Sequence, residues 1–119
     1  MSEYRLERLN HLIQEKVGAL IVEGKIKDPR VGPFLSITRV DVSRDLSYAD
    51  LYVSSFESEN RLKKGVLGLQ SAAGFIQSQL NLTMHIRQTP KLRFHEDHSL
   101  KEGFDIVKKI EDLNAESGT

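Results

Sequence analysis

Apolar residues recur at Leu6, Leu9, Ile13, Val17, Leu20 and Ile21. That three-and-four spacing is one face of a helix, predicted over about residues 3–24. Ser2 is its candidate cap, and Gly24, with Lys25 beside it, its candidate stop. Asp28-Pro29-Arg30 and Gly32-Pro33 then break regular structure, because each proline lacks an N–H and biases its predecessor toward extended geometry. Residues 34–43 read as a strand with β-branched Ile37, Thr38, Val40 and Val42. Its phase changes midway: Leu35 and Ile37 share one face, Val40 and Val42 the other. A bulge near Thr38-Arg39, or burial on both faces, would account for the change. Past a turn-like Ser43-Arg44-Asp45-Leu46-Ser47, residues 48–56 alternate again. Ala49, Leu51 and Val53 lie on one side, Tyr48, Asp50 and Tyr52 on the other. Two adjacent strands with a short loop predict an antiparallel hairpin.

From about Asn60 to Leu80, the residues Leu62, Val66, Leu69, Ala73, Ile76 and Leu80 form one continuous helical stripe. Inside it lies Ser71-Ala72-Ala73-Gly74. Glycine costs about 1 kcal/mol relative to alanine in a helix interior. A small-residue run midway along a helix signals a kink or a close packing patch, and spacing alone favours the patch. A third strand is expected next, with Met84 and Ile86 pointing one way and His85 and Arg87 the other. Pro90 interrupts it before Leu92 and Phe94 resume, which argues for an edge or a bulge. Ser99-Leu100-Lys101-Glu102 has the form of a capping box and opens a last helix with Leu100, Phe104, Val107, Ile110 and Leu113 on one face. Residues 115–119 are polar and expected to fray. The order predicts an α+β fold, with helices on one face of a three-stranded sheet, and a single domain over residues 1–114.

Composition narrows the compartment. The chain has no cysteine, which excludes disulfides, thiol catalysis and Cys-based metal centres, and fits a reducing environment. No apolar core of signal-peptide type opens it, and no stretch approaches the ~18 apolar residues of a membrane span. The expectation is a cytoplasmic protein with no membrane partner.

Charge changes the picture most. The formal total is zero, yet residues 61–94 carry six lysines and arginines and no acid: Arg61, Lys63, Lys64, Arg87, Lys91 and Arg93. Residues 31–60 are net −3 and residues 95–119 net −4. A local basic field attracts an anionic partner, most often a nucleic-acid backbone, by Coulomb attraction and counterion release. The acid-free stretch is expected to form one exposed patch. Folding an acidic segment alongside it would neutralise it instead.

Candidate chemistry is sparse. There is no Walker loop, GxGxxG, HExxH or GxSxG elbow. His95-Glu96-Asp97-His98 is the one cluster with metal-ligand residue types, but it falls in a strand-to-helix connection where polar residues are expected. Asp97 is better used there to order the loop through backbone N–H groups. No catalytic residue, resident metal or cofactor is assigned. Asp28 and Asp45 read as turn-forming; Arg30 and Arg44 are divided between solvation and function.

Several separated motifs, in order, resemble one family. They are Ile26-Lys27-Asp28-Pro29-Arg30, Thr38-Arg39-Val40 leading to Ser43-Arg44-Asp45-Leu46, and Tyr48-Ala49 with Tyr52-Val53-Ser54. Ala72-Ala73-Gly74-Phe75-Ile76, the run Leu82 to Arg87 with Pro90, Leu92 and Phe94, and Asp97-His98-Ser99 with Gly103 complete the set. Over about Arg5 to Leu113 the chain resembles ribosome-binding factor A, a bacterial small-subunit assembly factor. The resemblance implies a type II K-homology-like domain. There, the GxxG loop that clamps a nucleic-acid backbone in ordinary members is replaced by an Ala-x-Gly interhelical kink, matched here by Ala72, Ala73 and Gly74. It further implies a monomeric, non-enzymatic factor that binds the small ribosomal subunit and its precursor rRNA. Such a factor assists 5′-end maturation, leaves before translation and matters in the cold. Family members often carry a longer charged tail; this chain is acidic at its end. The candidate RNA contacts are Lys63, Lys64, Arg87, Lys91 and Arg93, with Arg30 and Arg44 after them. Two other readings remain open: an α+β protein-interaction module with no RNA role, and a small hydrolase built on His95 to His98.

Overall fold

The computed structural model describes residues 3–84 and 88–99. The Ser2 cap, the His85-Ile86-Arg87 part of the expected third strand, and the helix expected after Ser99 lie outside them. The elements are α1 (Glu3–Val22), β1 (Leu35–Val42), β2 (Tyr48–Ser55), α2 (Glu59–Ser71), α3 (Ala73–Met84) and β3 (Lys91–Glu96). The strands run β1-β2-β3 across the sheet, β1 antiparallel and β3 parallel to β2.

Helix α1 buries Leu6, Leu9, Ile13, Val17 and Ile21, the stripe its spacing predicts. It stops at Gly24, whose φ of 67° lies in the left-handed region that glycine enters at no steric cost. There Lys25 N–H donates to the Leu20 carbonyl at 3.0 Å and Gly24 N–H to Ile21 at 3.1 Å, closing two otherwise unpaired carbonyls. The phase change in β1 is a bulge. Ile37 pairs with Val53 but Arg39 with Tyr52, so Thr38 is the extra residue. The bulge returns Val40 and Val42 to the face of Leu35 and Ile37, and all four are buried.

The core lies between this sheet face and the helices. Ala49, Leu51 and Val53 of β2 and Leu92 and Phe94 of β3 complete it from the sheet side, and Leu62, Leu69, Ile76 and Leu80 from the helices. The long helix is two. Ala72 (φ −90°, ψ 5°) ends α2, its N–H donating to Gly68 and Leu69 carbonyls, while its own carbonyl accepts from Ile76 N–H as α3 begins.

Two expectations need correction. Met84 belongs to α3, not to a strand. It continues the step of four from Ile76 through Leu80 and packs against the core, so burial extends the helix one turn. Gly74 makes no close approach. A side-chain carbon added there meets nothing within 4 Å, and its φ is not in the left-handed region. The bend is made at Ala72, and Gly74 sits exposed in the first turn of α3.

Candidate nucleic-acid interface

The helical side carries one group of cations, built around the turn after α1. Asp28 accepts three hydrogen bonds from Arg30: the backbone N–H at 2.9 Å, Nε at 3.0 Å and Nη2 at 2.8 Å. These bonds hold the Asp28 carboxyl down at about 2, and they raise Arg30 in turn. The turn packs on α2 at Gly68, where an added side-chain carbon would lie 3.0 Å from Val31 and 3.1 Å from both Arg30 Cβ and Asp28 Oδ1. Only a helix position without a side chain admits the turn this closely. Arg30 Nη2 also reaches Ser71 Oγ at 3.3 Å, placing the guanidinium beside the α2–α3 bend. Lys64, Gly68 and Ser71 recur at four and three along α2, one row that ends at the bend. Lys63 and Lys64 are exposed and make no ion pair with a described residue.

Two glutamines, seven residues apart, hold the helices on either side of the bend. Gln70 Nε2 donates to the Leu92 carbonyl at 3.1 Å, and its Oε1 accepts from Phe94 N–H at 2.9 Å. Its amide thus pairs with the outer edge of β3 as a neighbouring strand would. Gln77 Nε2 donates to the carbonyls of Thr89 (3.0 Å) and Pro90 (3.2 Å).

The expected single patch is divided between two faces. Leu92 and Phe94 point into the core, so strand alternation turns Lys91 and Arg93 to the opposite, open face. There Arg93 forms a two-pronged pair with Asp50, at 2.8 and 3.0 Å, and lies 4.4 Å over the Tyr48 ring. Arg61, on α2, pairs with Glu57 and lies over Phe34. Arg44 is exposed at the hairpin, 3.8 Å from Glu3, while Asp45 ties the turn by accepting from Ser43 Oγ and Ser47 N–H. Arg87 lies outside the described residues.

The His95 to His98 cluster separates as well. His95 Nε2 lies 2.7 Å from Asp50 Oδ1, whereas His98 faces Glu59 at 3.1 Å and Glu96 at 3.4 Å. Asp97 orders the connection, accepting from the Thr38 hydroxyl and, at 2.9 Å, from Ser99 N–H. Those bonds, the Thr38 one foremost, lower its carboxyl. Among the described residues, no group of three or more metal-ligand side chains converges.

The profile of the family described as Ribosome-binding factor A matches residues 5–110. The chain belongs to the ribosome-binding factor A family. The Ribosome-binding factor A of Treponema denticola is 56% identical over 113 residues, covering 95% of this chain and 86% of that protein. The solution structure of a Thermotoga maritima putative ribosome binding factor A matches with a TM-score of 0.70 and 31% identity, over 82% of this chain and 91% of that one. A Thermus thermophilus ribosome binding factor A homology model, fitted into the cryo-EM map of a 30S complex, matches with a TM-score of 0.57 and 24% identity, over 75% of this chain and 91% of that one. The fold is the type II K-homology-like arrangement, with the family's kink centred on Ala72.

Sequence reasoning missed the open-face network of Arg39, Asp50, Tyr52 and His95, and the structural roles of Gly68, Gln70 and Gln77. Alternation had put Tyr48, Asp50 and Tyr52 on one side. Two aromatic rings on a polar face were the available signal. For Gly68 it was a glycine inside a strongly striped helix.

Proposed function

We propose that this chain binds the small ribosomal subunit through its precursor rRNA and assists late maturation, including processing of the 5′ end. It acts as a cytoplasmic monomer and catalyses no step. The observation that carries the reading is Arg30 held beside the α2–α3 bend, at the end of the α2 row that Lys64 begins and with exposed Lys63 next to it in sequence; the bend is the position of the backbone clamp in K-homology domains. Family membership supports it, as does the Thermus thermophilus relative's fit to a 30S complex. Arg30 is pre-set by Asp28, so less side-chain freedom is lost when it meets a phosphate. Arg87 and Arg44 remain further candidate contacts. The action is stoichiometric: binding one rRNA conformation more tightly than its competitors shifts the population toward it.

Sedimentation tests this. The chain should travel with free small subunits and be absent from translating ribosomes. Lys63→Glu with Lys64→Glu should move it to the top of the gradient at the same salt, with its melting temperature unchanged. Unaltered co-sedimentation of that variant would remove the α2 cations from the mechanism.

A further inference from the structure

The open face of the sheet is not an ordinary solvated surface. The register lays its side chains in rows across the strands. Arg39, Tyr52 and His95 form one, Asp41, Asp50 and Arg93 the next, Tyr48 and Lys91 the third. The Arg39 guanidinium lies 4.2 Å from the Tyr52 ring centroid, and the His95 ring stacks on Tyr52 with centroids 5.2 Å apart. Arg93 covers Tyr48. Five planar groups thus lie stacked in two layers on a face where, among the described residues, no apolar core packs to require them. The layers are open to solvent, with Tyr48 40% exposed.

The carboxylates of this face are already engaged. Asp41 pairs with Arg39 at 3.1 Å. Burial would raise Asp50, but His95 and Arg93 bond it and the net effect is a lowered carboxyl. Lys91 makes no ion pair with a described residue. The strand positions therefore hold three permanent cations against two neutralised carboxylates. At the end of the face, past the bulge, the stack opens into a cleft of about 570 Å³ lined by Arg39 and Tyr52, by the polar Thr38, His98 and Ser99, and by the carboxylates Glu96 and Asp97. Asp97 is engaged by Thr38 and Ser99, and Glu96 lies 3.4 Å from His98. That volume is within the range of small-ligand sites, about 300–1,000 Å³.

We propose that this open face is a second RNA surface, which takes unpaired bases by stacking and seats one nucleotide in the cleft. Splayed bases stack on aromatic rings and on guanidinium planes, and sheets that bind single strands present such groups on their exposed face. Duplex RNA offers no free base plane and is not a ligand here. Lys91 leaves the face one cation in excess, so its phosphate contact still falls with salt, while the share of the affinity carried by stacking changes little. That share separates this face from Lys63 and Lys64 of α2, whose contribution is counterion release and falls with salt. The proposal does not rest on the α2 interface.

The test uses the full chain and a fluorescent, unstructured twelve-nucleotide RNA of mixed sequence, with anisotropy read at low and at high salt. Tyr48→Ala should weaken binding about fivefold or more at both salts, the loss expected for one stacked base. Tyr48→Phe, which keeps the ring, should restore it. Lys63→Glu with Lys64→Glu should weaken binding mainly at low salt. Amide shift mapping on the unsubstituted chain, which needs no variant to fold, should move residues 48–52 and 91–95. Affinity within twofold of the original for Tyr48→Ala, or shifts confined to α2 and α3, overturns the proposal. So does a Tyr48→Ala chain that keeps its affinity for the oligonucleotide yet leaves the small subunit in the gradient, since the face then meets protein.

Discussion

Asp28 shows how one carboxylate ties a turn to a helix. It accepts from the backbone and from two guanidinium nitrogens of Arg30, and its folded value falls from 3.8 to about 2. A depressed folded value means that the ionised form is favoured by folding. The contribution is therefore complete above the ordinary value near 3.8 and is lost as pH falls toward about 2. Melting temperature followed between pH 4.5 and 2 should drop less steeply for Asp28→Asn than for the original chain; parallel curves would show that the pair contributes nothing to acid stability. Gly68 is the other half of the contact. Gly68→Ala sets a methyl group 3.0–3.1 Å from Val31, Arg30 and Asp28, so the turn must move outward. Alanine's helix propensity gains about 1 kcal/mol at such a site, and overpacking costs about 1–3 kcal/mol. The expected net result is a chain no more stable than the original, with Arg30 displaced from Ser71. A clear rise in urea midpoint would show the turn to be loosely seated.

At the level of elements, the bend between α2 and α3 is fixed by its neighbours rather than by a special residue. Gln70 and Gln77 hold the two helices to β3 and to the segment entering it, and Ala72 closes one helix while opening the next. Gln70→Ala removes a donor and an acceptor from partly buried backbone groups, a loss of about 1–3 kcal/mol. It should lower the urea midpoint and speed hydrogen exchange at the Phe94 amide. Gly74→Ala should do the opposite, adding about 0.5–1 kcal/mol, because open space surrounds the position and glycine costs the helix its backbone entropy. A destabilised Gly74→Ala chain would mean that the bend needs glycine after all. The sequence showed the hairpin and the apolar stripes through their periods, and a phase change near Thr38-Arg39 that a bulge or burial on both faces would explain; the pairing register decides for the bulge. Periodicity alone did not show where the long helix divides, since Leu69, Ala73 and Ile76 keep one stripe straight through the bend; the family resemblance did, at Ala72-Ala73-Gly74. Nor did periodicity place Met84, whose neighbours fit a strand and a helix equally until Leu80 is known to be buried beside it.

At the scale of the molecule, a run of like charges along the chain is not a patch. The acid-free stretch crosses from the helical layer to a strand, and alternation sends Lys91 and Arg93 to the far side of the sheet, where Asp50, forty-three residues earlier than Arg93, meets it. No reading of local charge could foresee that partner, because pairing register, not sequence distance, sets it. The consequence is measurable on a duplex RNA fragment, which offers phosphates but no free bases. Each lost phosphate contact flattens the slope of log affinity against log salt by about 0.9. Lys64→Gln, on the row leading to the bend, should flatten it by about that much. Lys91→Gln should leave it unchanged, because a duplex held at α2 lies across the sheet from Lys91. Equal flattening by both substitutions would mean that the two faces act as one continuous field, and the division described here would carry no functional weight.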